Sequence, residues 1–187
     1  MVYLSPLVWI FPAIRQYRER LFYFFLILAV FDPVGMLIWL LFKFYIAPFQ
    51  PLFVSYLLLI ALLDHKTIKK YKYFVVIGFL LCVIIPSIIG IKDLFSIGIV
   101  IIHIFIVYLL IGMLTEQSFV QKGINIFYFC LLFYNLLNLF KFYNILIGLK
   151  NAYIYLTITT IFQITLGVYF SIFKESSPKN FIKIIAQ

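Results

Sequence analysis

Charge is scarce in this chain. Of its 187 residues, 11% are Asp, Glu, Lys or Arg, and only six residues are acidic. Soluble domains are about a quarter charged and about half apolar, whereas this chain is 66% hydrophobic with a mean hydropathy of +1.15. That balance excludes a water-soluble globule and a disordered chain alike. Histidine and cysteine are as sparse, two of each. There is no CxxC and no Cys/His pair at metal-ligand spacing. Cys82 and Cys130 both fall inside apolar runs and read as small buried hydrophobes. Neither a metal nor a cofactor is expected. The sequence contains no GxSxG, no HExxH and no Gly-rich phosphate loop, and no two carboxylates share a helix face, so no enzyme is expected. No two of the eight glycines stand four apart, which excludes a GxxxG packing motif.

What is present is a succession of long apolar stretches. A helix needs about 20 apolar residues to cross about 30 Å of hydrocarbon. Six stretches approach that length, at 21–42, 46–63, 73–91, 94–114, 124–148 and 152–173. The reading is a single all-α integral membrane domain over residues 1–187: a polytopic bundle of six transmembrane helices with short loops. The second stretch is the weakest, because Pro48 and Pro51 leave little clean helix before Leu63. Residues 1–20, broken by Pro6 and Pro12 and carrying Tyr3 and Trp9, are expected to lie at the headgroups, where aromatic rings prefer to sit. Residues 174–187 form a basic tail expected to rest on an anionic leaflet.

The net charge of +9 is not a nucleic-acid signal, because the positive residues stand in short links between apolar stretches. The N-terminal region, residues 64–72, residues 115–123 and the tail hold eleven Lys and Arg, against four (Lys43, Lys92, Lys141 and Lys150) for the other side. By the positive-inside rule the first set is cytoplasmic. The expected localisation is the cytoplasmic (inner) membrane, with both termini inside.

Ionisable side chains at membrane depth are costly and are read by default as functional candidates. Asp32 stands mid-stretch and is followed by Pro33. The pair could kink the helix, or cap a second half-helix at mid-depth. His103 is central in the fourth stretch and could lie level with Asp32, forming a candidate intramembrane polar site. In the fifth stretch Tyr128, Tyr134, Asn135, Asn138 and Lys141 fall on an arc of roughly 120° at about 100° per residue. In the sixth, Tyr153, Thr157, Thr159, Thr160, Gln163 and Ser171 share a broader one. Counting from a tight turn at 148–151 places Asn138 near Thr160 and Gln163, and Asn135 near Gln163. These four form a candidate interhelical polar seam with at least one hydrogen bond expected among them.

Two functions fit these features. The first is a non-catalytic membrane subunit that anchors or scaffolds a larger complex, with lipids and other membrane subunits as partners. The alternative is a small solute- or proton-handling module using Asp32 and His103. In outline the six-span, both-ends-inside architecture resembles the substrate-binding subunits of energy-coupling-factor transporters. Those carry a small-residue AxxxA motif on the first helix, and here residues 28–32 read LAVFD.

Overall fold

In hydrocarbon every backbone N–H and C=O must find its partner within the protein, so apolar stretches fold as helices. The computed structural model describes residues 5–42, 49–89, 92–148 and 152–183, apart from some side chains within helices, that of Asp32 among them. The chain is mostly helical, 84%. In order come α1 (Ser5–Val8), α2 (Ile10–Arg15), α3 (Phe22–Phe42), α4 (Phe49–Leu62), α5 (His65–Lys70), α6 (Lys72–Ile89), α7 (Lys92–Gln121), β1 (Gly123–Asn125), α8 (Ile126–Leu146), α9 (Ala152–Ile172), a 3-10 turn at Pro178–Asn180 and β2 (Phe181–Lys183). Among the described residues three segments are long and apolar enough to cross a membrane: Leu94–Gln121, Ile126–Leu146 and Ile154–Ile172. These belong to α7, α8 and α9.

Several expectations change here. α3 runs unbroken through Pro33, so Asp32 and Pro33 do not cap a second half-helix. The stretch 115–123 is not a loop, because α7 continues to Gln121 over 30 residues. At 1.5 Å per residue that is about 45 Å. Glu116, Gln117 and Gln121 are good helix formers, and the Thr115 and Ser118 hydroxyls bond back to the carbonyls of Ile111 and Leu114. Polarity there marks the end of the apolar run and not the end of the helix. The chain then reverses through Lys122, at φ +50°. Asn125 caps α8, its side-chain oxygen accepting from Phe127 N at 2.9 Å and Tyr128 N at 3.4 Å.

The fold is also not purely helical. β1 and β2 pair antiparallel, with Gly123 opposite Lys183 and Asn125 opposite Phe181. The tail is thereby folded back onto the α7–α8 link, and Glu175 and Asn180 are buried. Asn180 Nδ2 donates to the carbonyl of Lys174 at 2.6 Å.

The described part of the N-terminal segment packs against helices from the other end of the chain. Trp9 is 1% exposed and Gln16 0%. Trp9 packs on Tyr134 with ring centroids 4.7 Å apart, and lies 6.3 Å from the Phe170 ring. Phe25, Phe127 and Phe170 complete this aromatic core, Phe127 and Phe170 at 4.9 Å. Gly167 permits the approach of α1, since a Cβ there would stand 2.7 Å from a Val8 methyl carbon.

The two chain ends then cap each other's helices. Gln16 Nε2 donates to the carbonyls of Phe170 at 3.0 Å and Phe173 at 2.7 Å, in the last turn of α9 and just beyond it, where carbonyls lack intrahelical partners. Gln16 Oε1 accepts from Glu175 N at 2.9 Å. In return the Glu175 carboxylate accepts from Leu21 N at 3.0 Å, one residue before α3 begins, and from the Tyr128 hydroxyl. Ser176 donates to Glu19 and Arg20 pairs with Asp64 at 3.0 Å. That last pair is exposed and contributes no more than about 1 kcal/mol.

Candidate functional site

α4, α7, α8 and α9 enclose polar side chains at depth. α4 starts with Pro51 in its first turn, where a missing N–H costs no helical bond. That leaves the Ser55 hydroxyl to back-bond the Pro51 carbonyl at 2.8 Å. His103, on α7 and 2% exposed, places Nε2 3.2 Å from Ser55 Oγ. Ser55 has one proton, already given to Pro51, so its oxygen accepts from His103 Nε2–H. This assigns the neutral tautomer with a lone pair on Nδ1, an atom with no partner among the described residues. The imidazole stacks on Phe142 of α8, centroids 5.6 Å apart and planes at 22°. The Asp32 side chain lies outside the described residues, and the Asp32–His103 pairing with it.

Of the four seam candidates, two meet. Gln163 Nε2 donates to Asn138 Oδ1 at 2.8 Å, between α9 and α8. Asn138 Nδ2 turns back to the carbonyl of Tyr134 at 3.2 Å. Asn135 and Thr160 bond within their own helices, to the carbonyls of Leu131 at 2.9 Å and Leu156 at 2.7 Å. Asn135 is fully buried, and its Oδ1 has no partner among the described residues.

Ser55, His103, Asn138 and Gln163, but not Asn135 or Thr160, border a cavity of about 330 Å³, whose other lining residues include Trp9, Leu28, Gln50, Val54, Tyr134, Lys141 and Phe142. Two contributors were not singled out from the sequence. Ser55 is the lone hydroxyl of α4 apart from Tyr56, which was a usable signal. Gln50 sits between two prolines, and its role depends on Gly35. A Cβ at Gly35 would overlap the Gln50 amide, which donates to the carbonyl of Phe31 at 3.0 Å. Lys141 also lines the cavity. Among the described residues no three His, Cys, Asp or Glu side chains cluster as a metal site.

The class of protein these features define is a membrane-compatible helical bundle with a cleft that has an apolar wall and a few polar groups. Comparison with family models, curated proteins and solved structures finds no match that would name it more narrowly.

Proposed function

We propose that this chain is an integral membrane protein of six spans whose interior binds a small solute, the second of the two functions suggested by the sequence. The cavity carries this reading. Its volume lies within the range of small-molecule sites, about 300–1,000 Å³, and it combines an apolar wall with a few convergent polar groups. The polar atoms are set by neighbours on other elements: His103 by Ser55, Asn138 by Gln163, Gln50 by the α3 backbone. A scaffold has no need of such an internal arrangement. The measurement is a thermal-stability screen of the purified full chain in mild detergent. A bound solute at 100 times its Kd stabilises by about 2.7 kcal/mol. We expect one chemical class to raise the melting midpoint, and Val54→Phe, which fills the cavity, to abolish the rise. A screen in which no class does so ends this reading.

The six spans are assigned to α3, α4, α6, α7, α8 and α9. Arg20 meets Asp64, Glu19 meets Ser176, and Gly123 pairs with Lys183. Each contact brings two links to one end of the bundle, which requires an even number of crossings between them. The eleven-to-four division of positive charge assigns that end to the cytoplasmic face of the inner membrane. Reporter fusions after Lys70 and Lys174 should read cytoplasmic, and fusions after Lys92 and Lys150 the opposite side. A reversed reading at Lys70 would refute the assignment.

The scaffold function keeps one observation in its favour. α6 leans on α4 through Tyr56, whose hydroxyl donates to the carbonyl of Val75, and leaves Val76, Ile77, Leu80 and Ile84 exposed. A partner helix could cover that side. Stoichiometric co-purification of another membrane chain, lost on Ile77→Lys, would favour the scaffold.

A further inference from the structure

A second recess lies on the outside of the bundle, between α2 and α3. It has a volume of about 550 Å³ and is walled by Ile10, Ile14 and Tyr17 on one side and by Phe22, Ala29 and Val30 on the other. Every lining side chain is apolar apart from the Tyr17 hydroxyl. Ile14 is 68% exposed, so the recess opens outward. Its α3 wall spans Phe22 to Val30, about 12 Å at about 1.5 Å per residue. One end is marked by charge. Tyr17 and Phe22 meet edge to face there, with centroids 5.5 Å apart, and the Arg18 guanidinium stands 5.4 Å from the centre of the Tyr17 ring. The arginines of this link differ in what holds them. Arg15 donates to the carbonyl of Ile172, and Arg20 pairs with Asp64. Arg18 is exposed and forms no ion pair among the described residues. Glu19, next in the chain, accepts from the Ser176 hydroxyl instead. An apolar channel that ends in a cation matches an amphiphile with an anionic head.

We propose, resting on the membrane-integral reading above, that this recess holds one acyl chain of an anionic phospholipid from the cytoplasmic leaflet, with the phosphate on Arg18. The planar guanidinium offers a phosphate two parallel N–H donors. The link lies on the side that the division of positive charge makes cytoplasmic, the leaflet whose anionic lipids attract basic segments. The bilayer itself then supplies the ligand, and the recess is open on the side from which it would enter.

The test uses the full chain in mild detergent and titrates dioleoyl phosphatidylglycerol, dioleoyl phosphatidylcholine and dioleoylglycerol, counting bound lipid per chain by native mass spectrometry. Phosphatidylglycerol is expected to bind as a single copy, about tenfold or more tighter than the other two. Arg18→Gln should bring it down to the level of phosphatidylcholine, while Arg18→Lys, which keeps the charge, should retain most of the advantage. All three side chains carry a Cβ, so the left-handed backbone at this position, φ +70°, costs each of them alike and the link keeps its shape. Ala29→Phe, which fills the recess, should weaken phosphatidylglycerol and phosphatidylcholine together. Ile14→Trp, at an exposed position, narrows the same recess and serves if Ala29→Phe does not fold. Equal binding of phosphatidylglycerol and phosphatidylcholine overturns the proposal, and so does an Arg18→Gln variant that binds phosphatidylglycerol as the parent does. Binding that neither Ala29→Phe nor Ile14→Trp weakens places the lipid elsewhere and also overturns it. A second protein chain that co-purifies in place of lipid, and is lost on Ile14→Trp, assigns the recess to a partner helix and overturns it too. None of these failures touches the membrane-integral reading, which the reporter fusions decide separately.

Discussion

Gln16→Leu should lower the stability of the folded chain by about 3 kcal/mol or more, since each buried polar group left without a partner costs about 1–3 kcal/mol. The substitution keeps much of the side chain's bulk and removes three hydrogen bonds at a fully buried position. The carbonyls of Phe170 and Phe173 and the N–H of Glu175 would lose their partners where water does not reach easily. Arg15→Leu is the control. It also removes a bond to the end of α9, Arg15 Nε to the carbonyl of Ile172 at 3.2 Å, but at an exposed position. Its cost should stay within about 0.5 kcal/mol, as for most surface substitutions. Thermal melts of both variants in the same detergent decide the matter. Equal midpoints would mean that the clasp between the chain ends contributes little.

The second expected result concerns pH at the same clasp. Burial raises the Glu175 carboxyl above the ordinary glutamate range, and the neighbouring Glu19 charge adds to the rise. The bonds from Tyr128 and Leu21 and the charge of Arg20 pull the other way without cancelling it. A carboxyl raised in the folded state binds its proton more tightly there than in the unfolded chain. Its contribution is therefore fully present below the ordinary glutamate value of about 4.3. It is lost as pH rises from there through the raised value. The parent should thus be more stable at pH 5 than at pH 8 by an amount that Glu175→Gln, which cannot titrate, largely removes. Glu175→Leu should cost about 3 kcal/mol at pH 5, because Leu21 N and the Tyr128 hydroxyl both lose their acceptor, and less at pH 8, where the parent has lost part of the Glu175 contribution. Parent and Glu175→Gln melting curves with the same pH dependence would refute the assignment of that titration to Glu175.

The sequence revealed apolar stretches and loop charge more readily than it revealed contacts between distant segments. Composition pointed to a bilayer, with which three apolar helices among the described residues are compatible, and the arithmetic of an antiparallel hairpin brought Asn138 to Gln163, because counting outward from one turn fixes depth. The same arithmetic did not determine that Asn135 and Thr160 would bond within their own helices. Depth does not fix rotation, and an amide or hydroxyl can always satisfy itself on the carbonyl one turn back. The burial of Trp9 was not legible for a related reason. An aromatic ring near two prolines looks interfacial whenever the partners that bury it, Tyr134 and Phe170, are more than a hundred residues away. Gln16 and Glu175 gave no local signal at all. Each caps a helix at the far end of the chain, so neither shows the near-neighbour pattern by which caps are usually recognised. Lys141 was visible as a charge near one end of its helix, but its place in the cavity wall depends on which way α8 turns.

The clasp also sets a timetable. The partners of Gln16 at the end of α9 follow it by 154 residues and more in the chain. At about 5–20 residues per second, a ribosome would need roughly 10–30 s to produce them after Gln16 has been made. For all of that interval the Gln16 amide lacks its native partners and Trp9 lacks Phe170. Trp9 and Gln16 thus wait for partners made much later in the chain. A nascent chain halted before Phe170 would hold most of its helices and still have no closed core.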